Sequence, residues 1–453
     1  MAPFKTGQVI LVCGCLSVVM LSNLMSLPLG LFVEQMKDKD GLAGTAAGGI
    51  DFGRPSTVLK NHNKNGNSNK KEPSFPLAPQ DQVAVCMMMK EDNELLYEWI
   101  AYHFEMLPLR YLLIGSDFNN QQNPMDVLER WNGTGLEYDM IQANDFANKT
   151  GPLTMAETHE KYHYKAFAHR QKGFVSTCFE TLKARNFGWV ALIDSDEFMV
   201  LNRFGPEDGP FHDVNNMTRN NGIAEDGNAT VVSEKYKVRE RISSWNPDGH
   251  TLLDAIRLIK SEFTELDRCL HLPRLRMGVV ENATCGPESD AADDMAKSDF
   301  VFDEMSTLRY KTHGGTTNFR ANKFAKAFID LSRISDEEIT TQRPANIHRP
   351  LPDMCPRPLI PYAHAALTLN HYTASWERYS SRKDARRTCK EWSSMAYYTF
   401  SNSCSQSIHQ WFPRFVQRFG IDKAKYLLGV DVFASQDASE AAPCPDVNDT
   451  MTK

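Results

Sequence analysis

The sequence predicts an α/β fold, with a mixed, mostly parallel sheet, flanking helices and one transmembrane helix ahead of it. Three observations carry that prediction. Between residues 82 and 200, apolar runs of strand length alternate with segments of helical spacing. One of those runs, Trp189–Ile193, passes straight into Asp194-Ser195-Asp196-Glu197. No charged residue occurs from Gln8 to Val33, a stretch of about 25 residues, which is long enough for a helix to cross a bilayer.

The N-terminal elements come first. Residues 1–7 form a short tail and 8–33 the span. The apolar run exceeds the core of an ordinary signal peptide and lacks a small-x-small cleavage site, so an uncleaved signal anchor is the preferred reading over a cleaved signal. Lys5 before the span and the near-cancelling charges after it do not fix orientation by the positive-inside rule. Residues 34–80, with their Gly/Ala and Asn/Lys tracts and Pro73, Pro76 and Pro79, cannot bury a core and read as a flexible stem. Asn-x-Ser/Thr sites at Asn132, Asn148, Asn216, Asn228, Asn282 and Asn448 are what a lumenal domain would carry on its loops.

A folded domain spans residues 81–430. Gln82–Met89 reads as a buried strand, followed by a polar turn through Asp92 and a helix from Leu95 to His103. Tyr111–Asp117 is a second strand, Pro124–Trp131 a helix with proline in its first turn, and Leu136–Ile141 a weaker strand. His163–Arg185 is a long helix with Phe167, Phe174, Cys178 and Leu182 on one side, delivering the chain to the Trp189 strand. This alternation predicts parallel strands with crossover helices and a crevice at their carboxyl ends.

Beyond it, 201–250 reads as loop and Thr251–Leu270 as an amphipathic helix. Residues 285–300 read as an acidic surface loop, Lys323–Leu331 and Ala366–Tyr372 as strands, and Ala374–Ser381 and Ser393–Phe419 as helices. From Asp431 to 453 the chain reads as a loose tail.

Composition narrows the function classes. Of 453 residues, 42% are apolar and 24% charged, ordinary for a chain with a real core, and the net charge of −7 argues against bulk binding of nucleic acid. The absence of GxxxxGK[ST] and of a well-placed GxGxxG speaks against a P-loop kinase and a dinucleotide enzyme, and the absence of GxSxG against an esterase. Eight cysteines follow the span. Cys269–Cys285 and Cys389–Cys404 are the local pairs expected, while Cys86 and Cys178 read as free core thiols. No Cys/His spacing suggests zinc.

Acids close three strand ends: Asp92, Asp117 and the Asp194/Asp196/Glu197 group. In an extended strand end, Asp-x-Asp sends both carboxylates to one side. Two hard oxygens there suit a divalent cation that also holds phosphate. Used without a P-loop, such a cluster fits sugar transfer from a nucleoside diphosphate, with Mn²⁺ or Mg²⁺ as Lewis acid at the leaving group.

Cys86-Met87-Met88-Met89-Lys90-Glu91-Asp92 followed by Glu98-Trp99-Ile100-Ala101-Tyr102-His103 resembles the opening of the glycosyltransferase family 92 and family 2-like group. Trp189–Phe198 is similar to that group's DxDEF block, Leu369-Asn370-His371-Tyr372 with Ser375-Trp376-Glu377 to its HY…SWE block, and Asn322–Lys326 to a further strand. The family has Asn-Glu after the first-turn lysine where this chain has Glu91-Asp92, and 201–320 matches only faintly, which leaves the acceptor side variable.

The resemblance implies a GT-A-type fold over 81–430 and a single-pass, Golgi or other secretory-pathway enzyme with its catalytic domain in the lumen. It would move a hexose from a nucleotide sugar, a UDP-sugar above all, to a glycan or glycoconjugate. Asp92, Asp117, Asp194 and Asp196 would bind the donor, and Asp194, Asp196 and His371 the metal. His371 has an equal reading as a structural core histidine. Glu197 either braces the strand end or faces the acceptor. Glu197, Asp303, Glu304 and Glu377 are the candidates for general base, with Glu197 and Glu377 foremost. Arg170 reads as a solvated helix residue, and Trp99, Tyr102 and Trp189 as core aromatics. The alternative is a membrane-tethered carbohydrate-binding protein with the same fold and no turnover; a paired-acid hydrolase fits adjacent carboxylates poorly.

Overall fold

Alternation along the first strand sets the layers of the molecule. In β1 (Val83–Met89), Val83, Val85, Met87 and Met89 belong to one apolar cluster, with α1 (Asn93–Met106). Ala84, Cys86 and Met88 belong to the other, with α2 (His163–Ala184). A strand buried on both faces in this way is the signature of a parallel sheet covered by helices.

The computed structural model describes residues 83–107, 109–118, 120–147, 149, 163–202, 252–262, 268–278, 290–313, 325–341, 347–348, 350–351, 355, 365–373, 375–381, 388–393, 408 and 410–434. The expected tail, span and stem, residues 1–80, lie outside them. Among the described residues no helix is long and apolar enough to cross a membrane.

The fold is mixed α/β. The main sheet runs β3-β2-β1-β4-β8-β6, with β2 (Tyr111–Ser116), β3 (Glu137–Gln142) and β4 (Trp189–Leu192) parallel to β1 or to its neighbours. β8 (Lys326–Asp330) is antiparallel to both β4 and β6 (Cys269–Leu272). A smaller sheet, β5-β9-β7, joins β5 (Glu197–Leu201), β9 (Leu367–Tyr372) and β7 (Arg274–Met277). The strand order reverses between β1 and β4, where open sheets of this kind place their ligands.

Four expectations need correction. The Trp189 stretch is two strands in two sheets, because Asp194–Asp196 turns the chain between them; the Glu197 N–H donates to the Asp194 carbonyl at 3.1 Å. Among the described residues the Thr251 helix covers Leu252–Glu262, and Cys269 and Leu270 begin β6, since they pair with Ile329 and Phe328 of β8. Within 285–300, Asp290–Asp299 is helical and buries Ala296 rather than forming a surface loop. The expected loose tail begins with a helical turn, Val430–Phe433, held where Phe433 meets the Tyr97 ring at 5.7 Å and Asp431 takes a two-pronged contact from Arg130 at 2.7 and 2.8 Å.

The cysteines also pair differently. Cys86 of β1 is bonded to Cys178 of α2, so neither is a free thiol, and Cys269 is bonded to Cys355, not to Cys285. Residue 86 faces the helix layer and Cys178 lies on the helix stripe above it, which brings two distant thiols together in a way that local spacing does not reveal. Cys389 is disulfide-bonded too; Cys285 and Cys404 lie outside the described residues.

One close approach depends on glycine. α2 crosses the short helix Ala143–Ala147 at Gly173, where a Cβ would stand 2.2 Å from the Phe146 carbonyl oxygen. That neighbour is backbone and cannot step aside. Gly173→Ala is expected to cost ~1–3 kcal/mol by forcing the helices apart; a urea midpoint equal to that of the wild-type chain would refute the close contact.

Candidate active site at the β1/β4 switch point

α1 grips the strand that follows the acidic turn. Trp99 Nε1 donates to the Glu197 carbonyl at 2.9 Å, and Tyr102 Oη to the Met199 carbonyl at 2.7 Å. His103 Nε2 accepts from the Met199 N–H at 3.2 Å while its Nδ1 meets the Trp99 carbonyl at 2.8 Å. Burial pushes this imidazole down to about 3, so it stays neutral, as that donor–acceptor arrangement requires. Trp99 and Tyr102 are core aromatics, as read, but their polar ends fix β5. Glu98 accepts from Ser306 N, Thr307 N and Thr307 Oγ1 at 2.6–2.8 Å, and burial raises its carboxyl to about 7.

The acidic turn closes on itself and on the first turn of the domain. The Asp194 N–H donates to Glu197 Oε2 at 3.0 Å, and Ser195 Oγ donates to Asp92 Oδ2 at 2.8 Å. The ends of β1 and β4 are thereby tied together at the switch point. Asp92 precedes α1 without capping it through its side chain.

Asp117, after β2, is 4% exposed and receives Arg170 Nε and Nη2 of α2 at 2.6 and 2.9 Å. Arg170 is therefore a half-buried fork on a buried carboxylate and not a solvated helix residue. Since the guanidinium occupies both oxygens, Asp117 anchors α2, and its expected part in donor binding has no support here.

Glu197 is fully buried. Its Oε1 accepts from Arg274 Nη1 at 3.1 Å, and its Oε2 lies 3.0 Å from Lys326 Nζ. Burial alone would raise its carboxyl; Lys326, Arg274 and His371 outweigh that and hold it at about 2. A sealed carboxylate with both oxygens engaged suits bracing the turn, not receiving a proton from an acceptor. Of the other base candidates, Glu304 is paired with Arg378 at 2.5 Å, Asp303 is exposed on the same turn, and the side chain of Glu377, on the short helix Trp376–Ser381, lies outside the described residues.

The expected metal ligands converge only in part. His371 Nε2 stands 3.4 Å from Asp196 Oδ1, and burial lowers the His371 pKa against the pull of Asp196. Asp194 Oδ2 is instead held by Lys326 Nζ at 2.6 Å. Burial of the turn and the carboxylates of Glu197 and Asp196 push Asp194 above the usual carboxylate range against the pull of Lys326, although its side chain keeps 40% exposure to water, which limits the shift. Among the described residues, the one trio of Cys, His, Asp or Glu with ligand atoms within 4.8 Å of one another is Cys269, His271 and Cys355. Its sulfurs form a disulfide, so it offers no thiolate. Asp194, Asp196 and His371 thus do not form a ready three-ligand set, and the divalent site expected from the sequence does not fit the donors as they stand.

No family model matches this chain, and no curated protein matches it. The resemblance to the glycosyltransferase group accordingly rests on the quoted motif residues.

Three basic residues went unnoticed in the sequence. Lys326 was seen only as the end of a strand motif; in the fold it is a wholly buried ammonium, which burial would discharge but Asp194 and Glu197 keep charged. Arg274 and Arg276 lie on β7, and the pairing register sets Glu197, His371 and Arg276 in one row across the small sheet. Burial and Arg274 bring Arg276 down to about 10, where it is still a cation. A visible signal existed for Lys326, which heads the apolar run Ala327–Ile329: a charge in a short apolar strand is rare unless paired.

Proposed function

We propose that the chain is a GT-A-type glycosyltransferase of the secretory pathway. It moves a hexose from a nucleotide sugar, foremost a UDP-sugar, to a glycan or glycoconjugate. The observation that carries this reading is the Ser195–Asp92 hydrogen bond. It joins the acidic turn after β4 to the turn after β1 at the point of strand reversal, where a nucleotide crevice belongs. Asp196, on that turn and 3.4 Å from His371, keeps partial exposure to water.

In the reaction the acceptor hydroxyl oxygen bonds to the anomeric carbon. The bond from that carbon to the diphosphate oxygen breaks, and its electron pair leaves with the nucleoside diphosphate. The hydroxyl proton passes to a base on the acceptor side, which is not Glu197. The residues of this chain bind and orient the donor; the Mn²⁺ or Mg²⁺ requirement expected from the sequence is not carried into the reading, because Lys326 occupies Asp194. The buried disulfides support folding in an oxidising compartment, in keeping with a lumenal domain.

Incubating the full-length chain with a panel of nucleotide sugars tests the proposal. One donor is expected to be hydrolysed or transferred, and Asp196→Ala to lower that rate at least ~100-fold with an unchanged melting temperature. If no donor turns over while glycans bind, the chain is the tethered carbohydrate-binding protein instead.

A further inference from the structure

The charges around the acidic turn balance. Asp194, Asp196 and Glu197 supply three carboxylates, and Lys326, Arg274 and Arg276 three cations acting on them. Affinity for a divalent cation rises with the number of uncompensated anionic ligands. Here the carboxylate that would come first in such a set already has a cation 2.6 Å away, and that cation is 0% exposed, held from below by Glu197 at 3.0 Å. Lys326 cannot swing out to water without leaving Glu197 buried and under-compensated, which is expensive. It is a built part of the turn.

We infer that Lys326 is a covalently attached stand-in for the divalent cation at Asp194, and that the site of the wild-type chain takes no divalent metal. The inference rests on the donor reading above and deepens it. Charge for the departing diphosphate then comes from the protein, and Arg276 is the cation offered for it: it pairs in register with His371, and its guanidinium matches a phosphate better than a point charge does. Lys326 acts through Asp194 and is a positioning residue.

The direct test is a titration of Mn²⁺ alone into the full-length chain, following the electron paramagnetic resonance signal of free Mn²⁺. The wild-type chain is expected to take up none at this site at millimolar Mn²⁺. Lys326→Met exposes Asp194 and adds one net negative charge, so it is expected to bind Mn²⁺ at least ~10-fold more tightly than the wild-type chain. Lys326→Arg keeps the charge and is expected to behave as the wild-type chain. Mn²⁺ uptake by the wild-type chain that disappears in Asp196→Ala or His371→Ala overturns the inference, and so does a folded Lys326→Met chain with no gain. If Lys326→Met does not fold, the wild-type titration decides alone. Transfer, where a donor is found, is expected to survive excess chelator undiminished; its loss in chelator and return with Mn²⁺ also overturns the inference. Failure of every nucleotide sugar to turn over would sink the donor reading and leave the Mn²⁺ result standing.

Discussion

Glu197→Gln is expected to destabilise the domain by ~3–5 kcal/mol, the usual cost of removing one member of a buried ion pair. The carboxylate sits between Arg274 and Lys326 with no exposure, and it also accepts the Asp194 N–H. The amide keeps the shape but turns an N–H₂ toward groups that are themselves donors, and it leaves two buried cations short of a counter-charge. Guanidinium unfolding measures the loss.

A double-mutant cycle with Lys326→Met should return part of it, because removing both partners leaves fewer uncompensated charges; residues in one such network couple by ~0.5–3 kcal/mol. Acid sharpens the test. The Glu197 carboxyl in the fold lies at about 2, below its ordinary value. Its contribution is therefore fully present above the unfolded carboxylate range and is lost as pH falls toward 2. Glu197→Gln should flatten that acid limb. An acid limb as steep as the wild-type chain's would show that Glu197 does not carry it.

Removing the Cys86–Cys178 bond, by Cys86→Ala with Cys178→Ala, is expected to cost ~2–5 kcal/mol. The bond closes a separation of 92 residues, and loop-closure entropy released in the unfolded chain grows with that length. It also pins α2 to the strand whose end carries Asp92, and α2 brings the Arg170 that holds Asp117. Denaturant unfolding reads the stability, and alkylation with mass measurement before and after reduction reads the bond. Ready alkylation of Cys86 or Cys178 in the unreduced, unfolded chain would overturn the pairing.

Much of the frame was legible. Runs such as Val83–Met89 and Tyr111–Ser116 are apolar throughout, and the helical spacing of Leu95, Leu96, Trp99 and Ile100 is unambiguous, so the order of β1, α1, β2, α2 and β4 followed from local pattern. The position of Asp92 and Asp194 at strand ends followed as well. Asp196 next to His371 was anticipated, and β9 does bring them to 3.4 Å. The pattern misled where a chain direction changes within a few residues: an apolar run interrupted by Asp194–Asp196 reads as one strand with an acidic end, although the turn sends β5 into a second sheet. Val430–Phe433 is a single turn, too short to show a helical period, and Asp290–Asp299 has Met295 as its one large apolar residue, so neither stands out in the sequence.

By itself, then, the sequence determined the α/β class, the element order over the first half of the domain and the acids at the ends of β1, β2 and β4, because each of these depends on residues close together in the chain. Tertiary structure alone decided which acids are available. Lys326 comes from 132 residues away to claim Asp194, Arg274 from 77 residues away to claim Glu197, and Arg170 from 53 residues away to claim Asp117. Whether a carboxylate is a ligand, a brace or an anchor depends on the cation beside it and the water it has lost, and both are set by contacts between distant segments that no local spacing records.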